Sequence, residues 1–109
     1  MMKVSDLFYP EPERWGFRGD PYFWRYLRQR FSNTDMPFDP DMLESVIRKE
    51  HLRLSGEKMS LHSKAFFPMF SHGGMTSGGV SGEYWMKTAI PLLRERCEAA
   101  NHELASSNI

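Results

Sequence analysis

Apolar residues in this chain recur at helical intervals in three stretches, separated by segments rich in glycine and proline. In "GDPYFWRYLRQRFSN", Phe23, Leu27, Arg30 and Phe31 follow one another at helical spacing. Asp20 stands ahead of them as a candidate N-cap, and Pro21 sits where a preset φ suits the first helical position. A first helix is expected from about residue 21 to 31. The same start returns in "FDPDMLESVIRKEHLRLSG": Asp39 caps, Pro40 opens, Leu43, Val46, Ile47 and Leu54 share one face, and Gly56 ends the helix. That places a second helix at about 40–54. From Gly82 the period resumes, with Ser81 as N-cap, Glu83 in the first turn, and Trp85, Ala89, Leu92, Leu93, Arg96 and Ala100 near one face. Pro91 interrupts this third pattern and is expected to kink or split it.

The remaining stretches fit helices poorly. "SDLFYPEPERWGFRGD" holds two prolines and two glycines, which leaves a short helical turn near Val4–Phe8 and an extended segment packing Phe8, Trp15 and Phe17 onto the body. "SLHSKAFFPMF" is the one segment with a strand pattern, and Pro68 would hold it at an edge or a bulge. The tail from 102 to 109 is polar and should fray. The expected fold is α+β and mainly α: three helices in a single domain spanning 1–109, with a minor β-hairpin or irregular β element and an extended aromatic N-terminal segment over 1–19.

Composition narrows the chemistry. A length of 109 residues suits one core, and 40% hydrophobic with 14% aromatic residues is a globular balance. Fourteen basic and fourteen acidic side chains cancel, so no whole-molecule field draws the chain to nucleic acid or an anionic membrane. One cysteine, Cys97, excludes an internal disulfide, and its position four residues after Leu93 suits a core thiol. The N-terminus shows no signal-peptide pattern and no 18-residue apolar run occurs, so a soluble cytoplasmic protein is expected.

Candidate chemistry gathers in two places. "FSHGGMTSGGVSGEYW" holds five of the eight glycines beside His72 and several hydroxyls, the layout of a loop that could present amides to an anion at a helix start. It lacks the lysine of a phosphate-binding loop and the dinucleotide fingerprint, and no nucleophile elbow accompanies it. If the chain is an enzyme, His72 is its acid/base residue, with Gly73, Gly74, Thr76 and Ser77 around the ligand. The four histidines show no metal-ligand spacing, so no metal and no cofactor is expected.

The second place is "RWGFRGDPYFWRYLRQR", where five arginines stand against one acid among six aromatic rings. That mixture suits single-stranded nucleic acid, through Arg14, Arg18, Arg25, Arg28 and Arg30, and equally a protein interface. The neutral net charge favours a protein partner. The expected surface combines the Arg18–Gly19–Asp20 turn, exposed members of the first helix such as Trp24, Arg25 and Arg28, and the loop at His72, Gly73, Gly74, Thr76 and Ser77.

"DLFYPEPERWGFRGDPYFWRYL" together with "FSHGGMTSGGVSGEYW…IPLL" resembles a family of small bacterial proteins in which a WGLRGDPxLW-type block precedes an HGGMSSGxVSxxFW-type block. The chain departs from that pattern at Phe17, in the Phe23–Trp24 step, and at Gly79 and Gly82. No activity is established for the family, so the resemblance implies a compact bacterial domain and no mechanism. The expected function is a non-enzymatic protein-binding module of immunity or inhibitor type, which neutralises a toxin. The alternatives are a small enzyme or anion-binding domain using His72, and a nucleic-acid-binding module.

Overall fold

The computed structural model describes residues 2–57 and 80–107. The chain opens with a 3-10 helix, Val4–Phe8, whose flanks are pinned to the segment before the second helix. Val4 N–H donates to Thr34 O, Met36 N–H donates to Met2 O, and Lys3 forms an antiparallel bridge and an ion pair with Asp35. This isolated bridge is the sole β pairing among the described residues. The segment with a strand pattern near 60–70 lies outside them.

Three helices follow: α1, Asp20–Arg30; α2, Pro40–Glu57; and α3, numbered 82–107. Asp39 starts α2 as expected, its side chain accepting from Asp41 N–H at 2.9 Å. Gly56 does not end α2, which continues to Glu57. Ser81 caps α3, its Oγ accepting from Tyr84 N–H at 3.1 Å. Pro91 does not split α3. The turn before it, Trp85–Ala89, widens into a π-helix in which Ile90 N–H reaches back to Trp85 O. An inserted residue at this point relieves the clash a proline ring makes with the preceding turn, and the helix runs on from Ile90 to Ser107.

One core joins these elements. Val4, Leu7 and Phe8 from the 3-10 helix, Phe23, Trp24, Leu27 and Phe31 from α1 and its end, Leu43 and Ile47 from α2, and Trp85, Ile90, Leu93 and Cys97 from α3 are all buried. Its centre is aromatic. Trp24 lies edge-on to Phe8 at 5.2 Å, and Trp85 edge-on to Phe23 at 4.6 Å. A buried indole removes about 200 Å² from water, roughly 5 kcal/mol each before entropy is subtracted. The Trp24 indole N–H donates to Phe8 O at 3.0 Å, so its polar edge is satisfied inside the core.

Against α3, the link between α1 and α2 is held by Asn101. Its amide accepts from Phe38 N–H at 3.0 Å and donates to Phe38 O at 2.6 Å, replacing backbone partners that an irregular segment lacks. No helix among the described residues is long and apolar enough to cross a membrane.

Candidate functional site

The two distinctive sequence blocks meet in space. Asp20 is fully buried at the first position of α1. One carboxylate oxygen accepts from the backbone N–H groups of Gly16 and Phe17, both at 2.7 Å. The other accepts from Ser81 N–H at 2.8 Å and from the Trp85 indole N–H at 3.1 Å. A carboxylate accepts and cannot donate, and here each oxygen takes two N–H groups. Asp20 therefore joins the loop before α1 to the first turns of α3, across more than 60 residues of sequence.

Backbone packing at this joint is close. A Cβ at Gly16 would stand 2.7–2.8 Å from the Ser81 and Tyr84 side chains, which only glycine avoids. Trp15 packs at 5.7 Å on Trp24 and at 6.1 Å on Tyr84. The Tyr84 hydroxyl donates to Arg14 O at 2.8 Å. Burial first, then the Asp20 charge, raise the pKa of that hydroxyl, so it remains a donor at neutral pH. Beside the joint opens a cavity of about 630 Å³, lined by Gly16, Phe17, Ser81, Tyr84, Lys87 and Thr88. Glu83, also on its wall, balances Lys87 in formal charge.

These positions correct two sequence expectations. Asp20 is neither an exposed binding residue nor the side-chain cap of its own helix: Gly19 O takes the bond from Phe23 N–H, while the Asp20 carboxylate turns back to the loop and across to α3. Trp24 is buried, not exposed, because α1 is covered on two sides, by Phe8 and Trp15 on one and by Trp85 on the other.

The surface beside the joint carries a continuous row of aromatic and charged groups. Tyr9 is 58% exposed, and the Arg28 guanidinium lies 4.9 Å from its ring centroid. Arg28 donates from Nη1 to Glu11 at 3.2 Å. Arg25 donates to both oxygens of the same carboxylate, from Nε and Nη2, each at 3.0 Å. Tyr22, 49% exposed, lies close enough for its phenol to act electrostatically on Arg25. Hydrogen bonds from Arg25, and then from Arg28, hold the Glu11 carboxyl below the usual carboxylate range, against the opposing effect of burial. The Glu11 hydrogen bond in turn raises the pKa of Arg25.

No protein-family model, curated protein or solved structure matches the chain.

The other predicted residues separate. Arg25 and Arg28 lie together in the row, and Arg18, in the turn that precedes α1, is exposed and forms no ion pair or hydrogen bond among the described residues. Arg14 is exposed as well. Arg30 turns away to Glu50 of α2, at 3.1 Å. Three of the five arginines offered for nucleic acid are thus bonded to carboxylates, and Arg28 occupies a face of Tyr9 that a base would need for stacking. His72, Gly73, Gly74, Thr76 and Ser77 lie outside the described residues.

Cys97 is buried, its thiol donating to Phe38 O at 3.2 Å. Burial raises its pKa, an arrangement that keeps the thiol protonated rather than activating it. Among the described residues no group of three His, Cys, Asp or Glu side chains is placed to hold a metal ion.

Sequence reasoning missed Glu11, Tyr9 and Tyr22. The helical offsets of Tyr22, Arg25 and Arg28 make that face readable once α1 is drawn, whereas Glu11 reaches it from an extended segment 14 and 17 residues away.

Proposed function

We propose that this protein is a non-enzymatic binding module that engages a protein partner through the face formed by Tyr9, Arg28, Glu11, Arg25 and Tyr22, with Arg18 at its edge. One observation carries the reading: two half-exposed tyrosines flank two arginines that a single carboxylate already holds in place. Tyrosine and arginine are the side chains that most often anchor protein interfaces, and fixing long side chains before binding lowers the entropy lost on association. The neutral chain and the acid-bonded arginines favour protein over nucleic acid. An immunity- or inhibitor-like role, in which the face covers a toxin, is the form of this reading we favour. It fits a small domain whose conspicuous surface feature is a prearranged aromatic and arginine row.

The test is capture of partners by the full chain from the native cells, followed by rebinding of the captured protein after purification. Tyr9→Ala with Tyr22→Ala should weaken rebinding at least about tenfold, the loss of one good anchor, while helix content and melting temperature stay near wild type. Rebinding unaffected by both changes, or no protein partner at all, would overturn the reading.

A further inference from the structure

We infer that the partner presents carboxylates to this face: the docking element is an acidic protein segment that places Asp or Glu side chains against Arg18, Arg25 and Arg28. The inference rests on the protein-binding reading above and specifies the partner's chemistry. Charge complementarity carries it. Within the row Arg25 and Arg28 stand against Glu11 alone, and the connected segment of sequence adds the exposed Arg14 and Arg18 against one exposed acid, Glu13, in a chain whose net charge is zero. Asp20 presents no free carboxylate oxygen at this surface, since it is buried and its oxygens are taken by four N–H groups, and with its charge counted the segment from Tyr9 to Arg28 still holds four arginines against three acids.

The donors are also unevenly used. Glu11 occupies Nε and Nη2 of Arg25 and Nη1 of Arg28, which leaves Nη1 of Arg25 and both Nε and Nη2 of Arg28 without partners among the described residues. Arg18 keeps all of its donors. A planar guanidinium with one edge already fixed offers its other edge in a set direction, the geometry that a carboxylate matches best. Tyr9 and Tyr22 border these donors with apolar ring surface and a hydroxyl each, so that a carboxylate docking between them is partly shielded from water. A phosphate backbone suits the site less well. Glu11 lies at its centre, and a polyanion gains from many unpaired cations rather than from two that share a carboxylate.

The probes are a random copolymer of glutamate and tyrosine, a matching copolymer of lysine and tyrosine, and an oligothymidylate, each titrated into the full chain at low and at high salt. The glutamate copolymer is expected to bind, and to bind more weakly as salt rises. Arg18→Glu and Arg25→Gln should each weaken that binding about tenfold, the loss of one charge-assisted hydrogen bond, with the melting temperature unchanged for Arg18→Glu and lowered by no more than about 8 °C for Arg25→Gln, which also loses its surface pair with Glu11. Absence of binding, equal binding of the lysine copolymer, or indifference to Arg18→Glu would overturn the inference. Tighter binding of oligothymidylate would replace it with nucleic-acid recognition. A purified partner whose rebinding depends on Tyr9 and Tyr22, but not on Arg18 or Arg25, would leave protein binding standing and remove the acidic partner alone.

Discussion

Asp20→Asn separates two ways in which α1 and α3 could be joined, by an acceptor-only carboxylate or by shape. The substitution preserves size and exchanges one acceptor oxygen for an NH2 group. In one orientation that NH2 confronts the N–H groups of Gly16 and Phe17; in the other it confronts Ser81 N–H and the Trp85 indole. Two donors lose their acceptor either way. A buried donor left unsatisfied costs about 1–3 kcal/mol, so two cost roughly 2–6 kcal/mol. Each pair contains a residue that lines the open cavity, where water can satisfy one donor, which brings the expectation to about 1–3 kcal/mol. Against the 5–15 kcal/mol typical of a domain, that is a large share. Urea unfolding followed by tryptophan fluorescence should show an earlier midpoint with an unchanged slope. Melting temperature should fall by about 5 °C or more. A variant within about 0.5 kcal/mol of wild type would show that hydrogen bonding to this carboxylate does not hold the joint.

The same joint predicts that Gly16→Ala destabilises by about 1–3 kcal/mol, because the new Cβ forces the Ser81 and Tyr84 side chains and the start of α3 to shift; a melting temperature equal to wild type would contradict the close approach. Glu11 has a folded pKa below its unfolded value, so its ion pairs stabilise the fold above the ordinary glutamate pKa, and that contribution is lost as pH falls through the lowered folded value. The stability difference between wild type and Glu11→Gln, measured by denaturant unfolding, should therefore be present at neutral pH and shrink progressively as pH falls below the ordinary glutamate range; a gap that does not change with pH would refute the assignment. Trp24→Ala should cost about 3–5 kcal/mol and leave Phe8 O without its buried donor, so loss of binding in that variant would report unfolding. Arg28→Ala should melt within about 1 kcal/mol of wild type, since its pairing lies at the surface, and calorimetry separates the two cases.

Helix starts and apolar faces were legible in the sequence, because capping and helical periodicity are local properties. Pro40 and Ser81 each begin a helix where expected, and Phe23, Leu27, Leu43, Ile47, Trp85 and Leu93 are buried as their spacing implies. The use made of Asp20 was not legible, since an aspartate before a proline reads as a cap whether its carboxylate serves the local helix or one 60 residues away. Burial of Trp24 was hidden for a related reason. A helix packed on two sides buries a wider arc than one amphipathic stripe, and only tertiary contacts reveal the second side. Gly56 read as a helix stop although α2 includes it and runs one residue further, to Glu57.

The segment from Tyr9 to Asp20 connects the two halves of this picture. A carboxylate fixes it near each end, and the two carboxylates act oppositely. Asp20 is buried and takes only neutral N–H groups, so it orders backbone and adds no surface charge, whereas Glu11 takes two guanidinium groups and orders a positively charged surface. Trp15 and Gly16, between them, lie against Trp24 and the start of α3, so the segment cannot shift without disturbing the core. The conspicuous residues of the two sequence blocks, Trp15, Gly16, Asp20, Ser81 and Trp85, thus act in folding. They hold in place the proposed binding face, which is composed of ordinary surface residues, Tyr9, Glu11, Tyr22, Arg25 and Arg28, that a search for unusual motifs passes over.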